Sequence, residues 1–328
     1  MQTRKIGPFE VSAIGLGCMN LSHAYGTPPD AVAGAALLHK ALDLGYTFFD
    51  TAALYGFGAN EMLVGNTLKS RRREFVLASK CGLTGVDGKG VIDGRPETLK
   101  KTCDESLARL QTDVIDLYYL HRLDKKVPIE DSVGALAELV KAGKIRTIGL
   151  SEMSAATIRR AHAVHPITAV QSEYSLWTRN PEIAVKEACR ELGTAFVAFS
   201  PVARGFLTGK LRDVSGFEAR DIRRAMPRFQ PENYAANLRL LDGYAALAAE
   251  LGCTMAQLAL AWLLGRGEHV VPLIGTTSGE HLRENLGALD VVLDAGTMAR
   301  LEEMINQNTV VGPRYNEQNR VEVDTEEF

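Results

Sequence analysis

From Ala13 to about Leu289 the chain alternates short apolar runs, rich in β-branched and aromatic residues, with longer amphipathic stretches. Eight such runs occur, at Ala13–Gly17, Thr47–Thr51, Phe75–Lys80, Val114–His121, Thr147–Ser151, Ala169–Ser172, Ala195–Ser200 and Val270–Ile274. Each is nearly continuous in apolar residues and leads into a polar segment, which suits a parallel strand buried on both faces. Strand and helix in repeated alternation predict an α/β fold whose parallel strands close into a (β/α)8 barrel, a unit of ~250 residues or more. A length of 328 residues fits one such barrel, and no Gly/Ser-rich linker interrupts it, so 1–328 is expected to form a single domain.

The helical stretches are read from period and caps. In Pro96–Leu110, residues Leu99, Cys103, Leu107 and Leu110 fall on one stripe, with Pro96 near the first turn. Pro181–Leu192 has the same design, with Gly193 just past its end. Three additions to a bare barrel are predicted. Arg4–Ile6 and Phe9–Ser12, joined by Gly7-Pro8, read as a β-hairpin (within 1–12) that closes the bottom of the barrel. Arg204–Glu232, after the seventh strand, is too long for an ordinary connection, and such loops are usually functional. The C-terminal tail, 305–328, turns polar and irregular.

A formal charge of −3 gives no overall field for nucleic acid or an anionic membrane, and the one dense basic run, Lys69–Arg73, reads as a solvated turn. No run approaches ~18 consecutive apolar residues. Five scattered cysteines without a CxxC pair fit a reducing compartment, so the cytoplasm is expected, with no nucleic-acid or membrane partner. His162 and His165 lack a third ligand and read as a helix end, and no metal is expected.

In a (β/α)8 barrel the chemistry sits in the loops after the strands. Asp50 ends the second run and leads into Thr51-Ala52-Ala53-Leu54-Tyr55-Gly56; Lys80 ends the third run and His121 the fourth. Four titratable groups thus converge on one rim. A free tyrosine titrates near pH ~10, so a tyrosine acid at neutral pH calls for a neighbouring cation, which Lys80 supplies while Asp50 holds Lys80 charged. His121 would orient a carbonyl oxygen beside the Tyr55 hydroxyl. Taken singly, each has an ordinary alternative: a loop aromatic, a snorkelling lysine, a capping aspartate, a buried imidazole.

Phe49-Asp50-Thr51-Ala52-Ala53-Leu54-Tyr55-Gly56, Lys80 and Tyr119-Leu120-His121-Arg122 together resemble the aldo-keto reductases. The likeness continues through Gly15-Leu16-Gly17-Cys18-Met19, Lys144–Ser151, Gln171-Ser172-Glu173-Tyr174, Phe199-Ser200-Pro201 and Ile274-Gly275-Thr276 with Glu284-Asn285. The resemblance implies a TIM barrel that reduces aldehydes or ketones, or oxidises the alcohols, with an extended NADPH; NADH remains open. It implies Tyr55 as general acid, Lys80 as its tuner, Asp50 as partner of Lys80 and His121 as the residue that positions substrate. It further implies that Ser151 and Gln171 bind the nicotinamide carboxamide, that Phe199 stacks on the ring, and that Ser200, Gly205, Leu207 and Lys210 follow the pyrophosphate. Gly17, Cys18, Met19, Asp50, Pro201, Ile274, Gly275, Thr276, Ser278, His281, Glu284 and Asn285 complete the implied cofactor set.

Two positions depart from the family pattern. Glu152 stands where many relatives have Asn, which exchanges one amide near the carboxamide for an acid. His281 stands where an arginine often meets the 2′-phosphate of NADP, leaving Ser278, His281 and Arg283 as candidates. Tyr25 and Trp177, in loops after strands, are expected to wall a substrate pocket with Tyr55 and His121, and the irregular segments Ser22–Pro28, Leu83–Val91 and Arg122–Val127 would shape it. Trp262 reads as core. Two rivals remain at this stage: an aldolase-like Schiff base on Lys80, disfavoured by Asp50, and a non-catalytic cofactor-sensing or interaction protein on the same barrel.

Overall fold

The computed structural model describes residues 2–86 and 88–328. Met1, at the head of the hairpin cap, and Asp87, inside the Leu83–Val91 segment, lie outside the described residues. Eight parallel strands close into a barrel: Gly15–Gly17, Phe48–Asp50, Val76–Cys81, Ile115–Leu120, Ile145–Ser151, Ile167–Glu173, Ala195–Phe199 and Val270–Gly275. The last strand pairs with the first through Leu273↔Gly15, Ile274↔Leu16 and Gly275↔Gly17, which removes the sheet edges. All eight apolar runs read from the sequence therefore form barrel strands.

Burial on both strand faces explains those continuous apolar runs. Phe48, Ala78, Leu117, Tyr119, Ala169, Val197 and Val271 fill the barrel interior, while a second apolar layer joins the strands to the surrounding helices. The interior accepts the Tyr119 ring because Gly149 on the neighbouring strand lacks a Cβ, which would run into that ring. Strands Thr3–Ile6 and Phe9–Ser12 form the predicted antiparallel hairpin, and Ile6 and Val11 pack onto the interior cluster as a bottom plug. Trp262 is fully buried among the helices, as expected of core.

Three local expectations need correction. The helix starts at Val185 rather than Pro181: Asn180–Glu182 is a separate 3-10 turn, and Ala184 leaves helical geometry at φ −153° and ψ −33°. Gly193 does end that helix, in the left-handed conformation at φ 65°. The Leu83–Val91 segment contains two antiparallel strands, Leu83–Val86 and Lys89–Ile92. Finally, the basic run 69–73 is not merely solvated. Arg72 donates to Asp116 at 2.7 Å and to the carbonyls of Phe75 and Val114, tying a 3-10 turn to the barrel.

The long connection after the seventh strand holds 3-10 turns at Ala203–Thr208, Ile222–Ala225 and Pro227–Phe229, then helices Pro231–Leu238 and Leu240–Glu250 ahead of the barrel helix Met255–Leu264. His162 accepts a bond from the Ile167 amide at 3.2 Å near a helix end, and the described residues contain no cluster of metal-ligating side chains. No single helix among the described residues is long and apolar enough to cross a membrane.

Candidate active site

The strand ends bring the predicted quartet together at the mouth of the barrel. Lys80 is fully buried, yet its ammonium donates to Asp50 Oδ1, to the Thr51 carbonyl at 2.9 Å and to the Tyr55 hydroxyl at 3.2 Å. Asp50 Oδ2 accepts a further bond from Gln171 Nε2 at 2.8 Å. His121 meets the Tyr55 ring edge to face, with centroids 5.9 Å apart. Neighbouring strands carry these residues in register, Gly17 beside Asp50, Lys80 beside Tyr119 and Gln171 beside Ser151.

The electrostatics differ from the sequence expectation in one respect. Burial pushes the Tyr55 hydroxyl above the usual phenol value, and Lys80, although it opposes this, does not overcome it. Tyr55 is therefore protonated throughout the neutral range, as a proton donor must be, with an ammonium already beside the oxygen that would become anionic. Burial also works against the Lys80 charge, but Asp50 and Tyr55 outweigh it and hold Lys80 above its ordinary value. An amine kept protonated does not attack a carbonyl, which disfavours Schiff-base chemistry. His121 is held well below the usual imidazole value by burial, Arg122 and Lys80, so it is neutral and has one N–H to offer a carbonyl oxygen.

A cavity of about 710 Å³ opens above Tyr55 and His121. Among the predicted cofactor residues its walls include Gly17, Met19, Asp50, Ser151, Gln171, Phe199, Ser200, Pro201, Gly205, Lys210, Ile274, Gly275, Thr276, His281, Glu284 and Asn285. Tyr25 also lines it, as do Leu83 and the tail residues Tyr315, Asn319, Glu322 and Val323. Cys18, Leu207, Ser278 and Trp177 do not. Cys18 is buried with its thiol toward the Leu16 carbonyl, and Leu207 is packed in the helical layer. Ser278 caps the helix Gly279–Leu286, its hydroxyl accepting from the Glu280 and His281 amides. Trp177 stacks on Phe206 at 4.2 Å, edge-on to Phe229, because the long loop supplies it with an aromatic bed away from the cavity.

The wall carries hydrogen-bonding and aromatic groups along its length. Gln171 spends its amide N–H on Asp50 and keeps its carbonyl oxygen as an acceptor, beside the Ser151 hydroxyl. Phe199 offers an aromatic face near them, with the Arg204 and Arg314 guanidinium groups 5.9 Å and 6.0 Å from its centroid. Left-handed backbone follows the site residues: Phe57 after Tyr55, Glu152 after Ser151, Ser200 after Phe199, then Ala203 and Arg204. Non-glycine residues held there are strained, and such strain clusters where a site demands a special chain direction.

Sequence reasoning missed a buried charge cluster behind this wall. Glu152 does not face the cavity as an amide substitute: its Oε1 accepts from the Glu173 amide at 2.8 Å and its Oε2 pairs with Arg314 at 2.5 Å. Glu173 pairs with Arg204 at 2.6 Å and with Arg314 at 3.0 Å. Two strand ends, the long loop and the tail are thereby joined. Arg204 lies 31 positions from Glu173 and Arg314 lies 141 from it, in the long loop and the tail respectively, so no local spacing could reveal the cluster. Asn60, also missed, bridges the Thr51 hydroxyl, the Cys18 carbonyl and Ser22 Oγ, fixing the turn that presents Tyr55.

Burial raises the Glu173 carboxyl, but Arg204 and Arg314 prevail and hold it at about 2. A depressed folded-state value gives stability present above the unfolded glutamate value, near ~4.3, and lost as pH falls toward the folded value. Glu173→Gln is accordingly expected to melt lower than the parent at pH 7 and to show a shallower fall in Tm between pH 4.5 and 2. Thermal melts across that window check both parts; identical pH profiles would remove the cluster from the stability account.

Residues 13–306 match the model of the Aldo/keto reductase family. The chain is 46% identical over 320 residues to an aldo-keto reductase of Schizosaccharomyces pombe whose name specifies NADP(+), covering 95% of this chain and 94% of that one. It is 46% identical over 319 residues to a probable aldo-keto reductase of Glycine max, covering 96% and 92%. Among solved structures it is similar to a glycerol dehydrogenase of Gluconobacter oxydans, with a TM-score of 0.83 and 28% identity over 96% of this chain and 98% of that one. An aldo-keto reductase of Bacillus halodurans in its holo form superposes with a TM-score of 0.76 at 28% identity, covering 98% and 99%. Closed parallel barrel, converging quartet and full-length sequence likeness agree, and the chain belongs to the aldo/keto reductase family.

Proposed function

We propose that this protein is an NADPH-dependent reductase of aldehydes and ketones that also runs in reverse on the alcohols, with Tyr55 as general acid and base. The observation that carries the reading is the Lys80 ammonium shared between Asp50 and the Tyr55 hydroxyl at the floor of a dinucleotide-sized cavity. When bound, NADPH supplies the hydride. Tyr55 gives its proton to the carbonyl oxygen as negative charge develops there, and Lys80 stabilises the phenolate left behind. Neutral His121 donates to the same oxygen and holds it beside Tyr55. Ser151 and Gln171 would hold the nicotinamide carboxamide, and Phe199 would offer its ring face to stack on it. Their contribution is alignment, which raises the fraction of encounters that react.

The adenosine end of the cofactor is assigned to the last loop. Thr276 accepts from the Ser278 amide at 3.0 Å and lies 3.4 Å from His281 Nδ1, so this loop is held by its own bonds at a helix N-terminus. Arg283 sits in the last turn of the helix Gly279–Leu286, whereas a second cation reaches the helix start from a distance: the Lys40 ammonium rests against Gly279, where an added Cβ would strike it. We assign Lys40 and His281 to the 2′-phosphate in place of the arginine common in the family. The expected result is tighter binding of NADPH than NADH, with Lys40→Met reducing that preference about fivefold or more. Fluorescence titration of both cofactors on both proteins checks it, and equal affinity for the two cofactors in the parent would contradict the assignment. Five unpaired cysteines suit a reducing compartment, and we place the enzyme in the cytoplasm.

A further inference from the structure

Arg122 directly follows His121 beyond the fourth barrel strand and lines the same cavity. Its Nη1 donates to the His121 carbonyl at 2.7 Å and reaches Ser151 Oγ at 3.4 Å. Its Nε is buried and has no hydrogen-bond partner among the described residues. The guanidinium is close enough to favour the deprotonated forms of both Tyr55 and His121.

The carboxylates around it are committed elsewhere. Asp50 belongs to Lys80, Glu152 to Arg314, and Glu173 to Arg204 and Arg314. Glu284 and Glu322 also lie on the cavity wall, and among the described residues no ion pair joins either to Arg122. Arg228 shows what a structural arginine does here without a carboxylate: its donors go to the carbonyls of Trp177 and Gly312 and to the Thr178 hydroxyl. Arg122 also gives Nη1 to a carbonyl and a hydroxyl, but unlike Arg228 it does so on the cavity wall directly beside His121, with its other terminal nitrogen free of any such bond among the described residues. A guanidinium presents a planar fork that matches a carboxylate, and Arg122 is only partly buried on the cavity wall, with its Nη2 making no hydrogen bond among the described residues.

We propose that Arg122 receives a carboxylate of the substrate, so that the enzyme acts on oxo acids and aldehyde acids whose carbonyl oxygen lies between Tyr55 and His121. This rests on the reductase reading above. The carbonyl carbon takes the hydride, the oxygen takes the Tyr55 proton, NADPH becomes NADP+, and the carboxylate leaves unchanged as part of a hydroxy acid.

The test follows NADPH oxidation by the full-length enzyme with 4-carboxybenzaldehyde, its methyl ester and 4-formylphenyl phosphate. The parent should prefer the carboxylate over the ester in kcat/KM by about tenfold or more, chiefly through KM. That ratio should collapse toward unity in Arg122→Met and take an intermediate value in Arg122→Lys, which keeps the charge without the fork. Equal efficiency on carboxylate and ester in the parent overturns the inference, and a tenfold preference for the phosphate overturns its choice of carboxylate. Arg122→Met weakening NADPH binding with the ratio unchanged assigns Arg122 to the cofactor and overturns it also. If that variant does not fold, competitive inhibition of the parent by benzoate but not by benzamide supports the inference, and equal inhibition by the two refutes it. Absence of turnover with all three carbonyls would instead sink the reductase reading itself.

Discussion

Tyr55→Phe is expected to lower kcat by roughly a hundredfold to ten-thousandfold, the usual contribution of a positioned general acid, while NADPH affinity changes little. The side chain loses one oxygen and keeps its ring, so the edge-to-face contact with His121 persists and the fold has little reason to respond. What disappears is the proton at the carbonyl oxygen and the acceptor on which Lys80 acts at 3.2 Å. Because burial keeps Tyr55 protonated, the reductive rate should also be insensitive to Tyr55 titration below the ordinary phenol range. Neutral His121, with its value pushed far down, should add no transition near pH 6.5. Steady-state rates from pH 6 to 9, with NADPH titrations on parent and variant, check these statements together; a variant with parental kcat would refute the proton-donor role.

Lys80→Met should be the most damaging change to the fold as well as to turnover. Asp50 and Lys80 are 1% and 0% exposed, and removing the cation leaves a buried carboxylate with only Gln171 for compensation. Breaking one side of a buried pair costs about 3–5 kcal/mol, far more than the pair contributes over a neutral replacement. The paired variant Asp50→Asn with Lys80→Met should therefore regain much of the lost stability and none of the lost activity. Urea denaturation midpoints of the two single variants and the double variant read out that coupling. A double variant as unstable as Lys80→Met alone would show that the unpaired Asp50 charge is not the cause. Activity regained by the double variant would show that Lys80 tunes nothing.

The barrel and its quartet were readable because their causes are local. A strand buried on both faces must be apolar along its length, so Val76–Cys81 and Ile115–Leu120 announce themselves, and the polar residues that break the pattern, Lys80 and His121, stand out at their ends. Asp50 and Tyr55 follow from the same rule. What escaped reading depends on distant chain segments meeting. Trp177 resembles a pocket aromatic in isolation and becomes a packed one only when the loop brings Phe206 and Phe229 to it. Glu152 looks like a substitution at a cofactor contact until Arg314 arrives from the tail to claim it. Lys40 is an unremarkable residue of the helix Ala31–Asp43 until that helix lies beside Gly279. The Tyr55 environment differs for the related reason that sequence identifies the cation nearby but not how dry the site is.

Direct hydride transfer to a carbonyl is the core of this account, and isotope transfer measures it without reference to any one residue. The enzyme is incubated with NADPH carrying deuterium at both C4 positions and an aldehyde, and the alcohol is examined by mass spectrometry and NMR. One deuterium at the carbinol carbon per NADPH oxidised is the result predicted. Alcohol formed without deuterium, or tight NADPH binding with no oxidation across a panel of aldehydes and ketones, would contradict it.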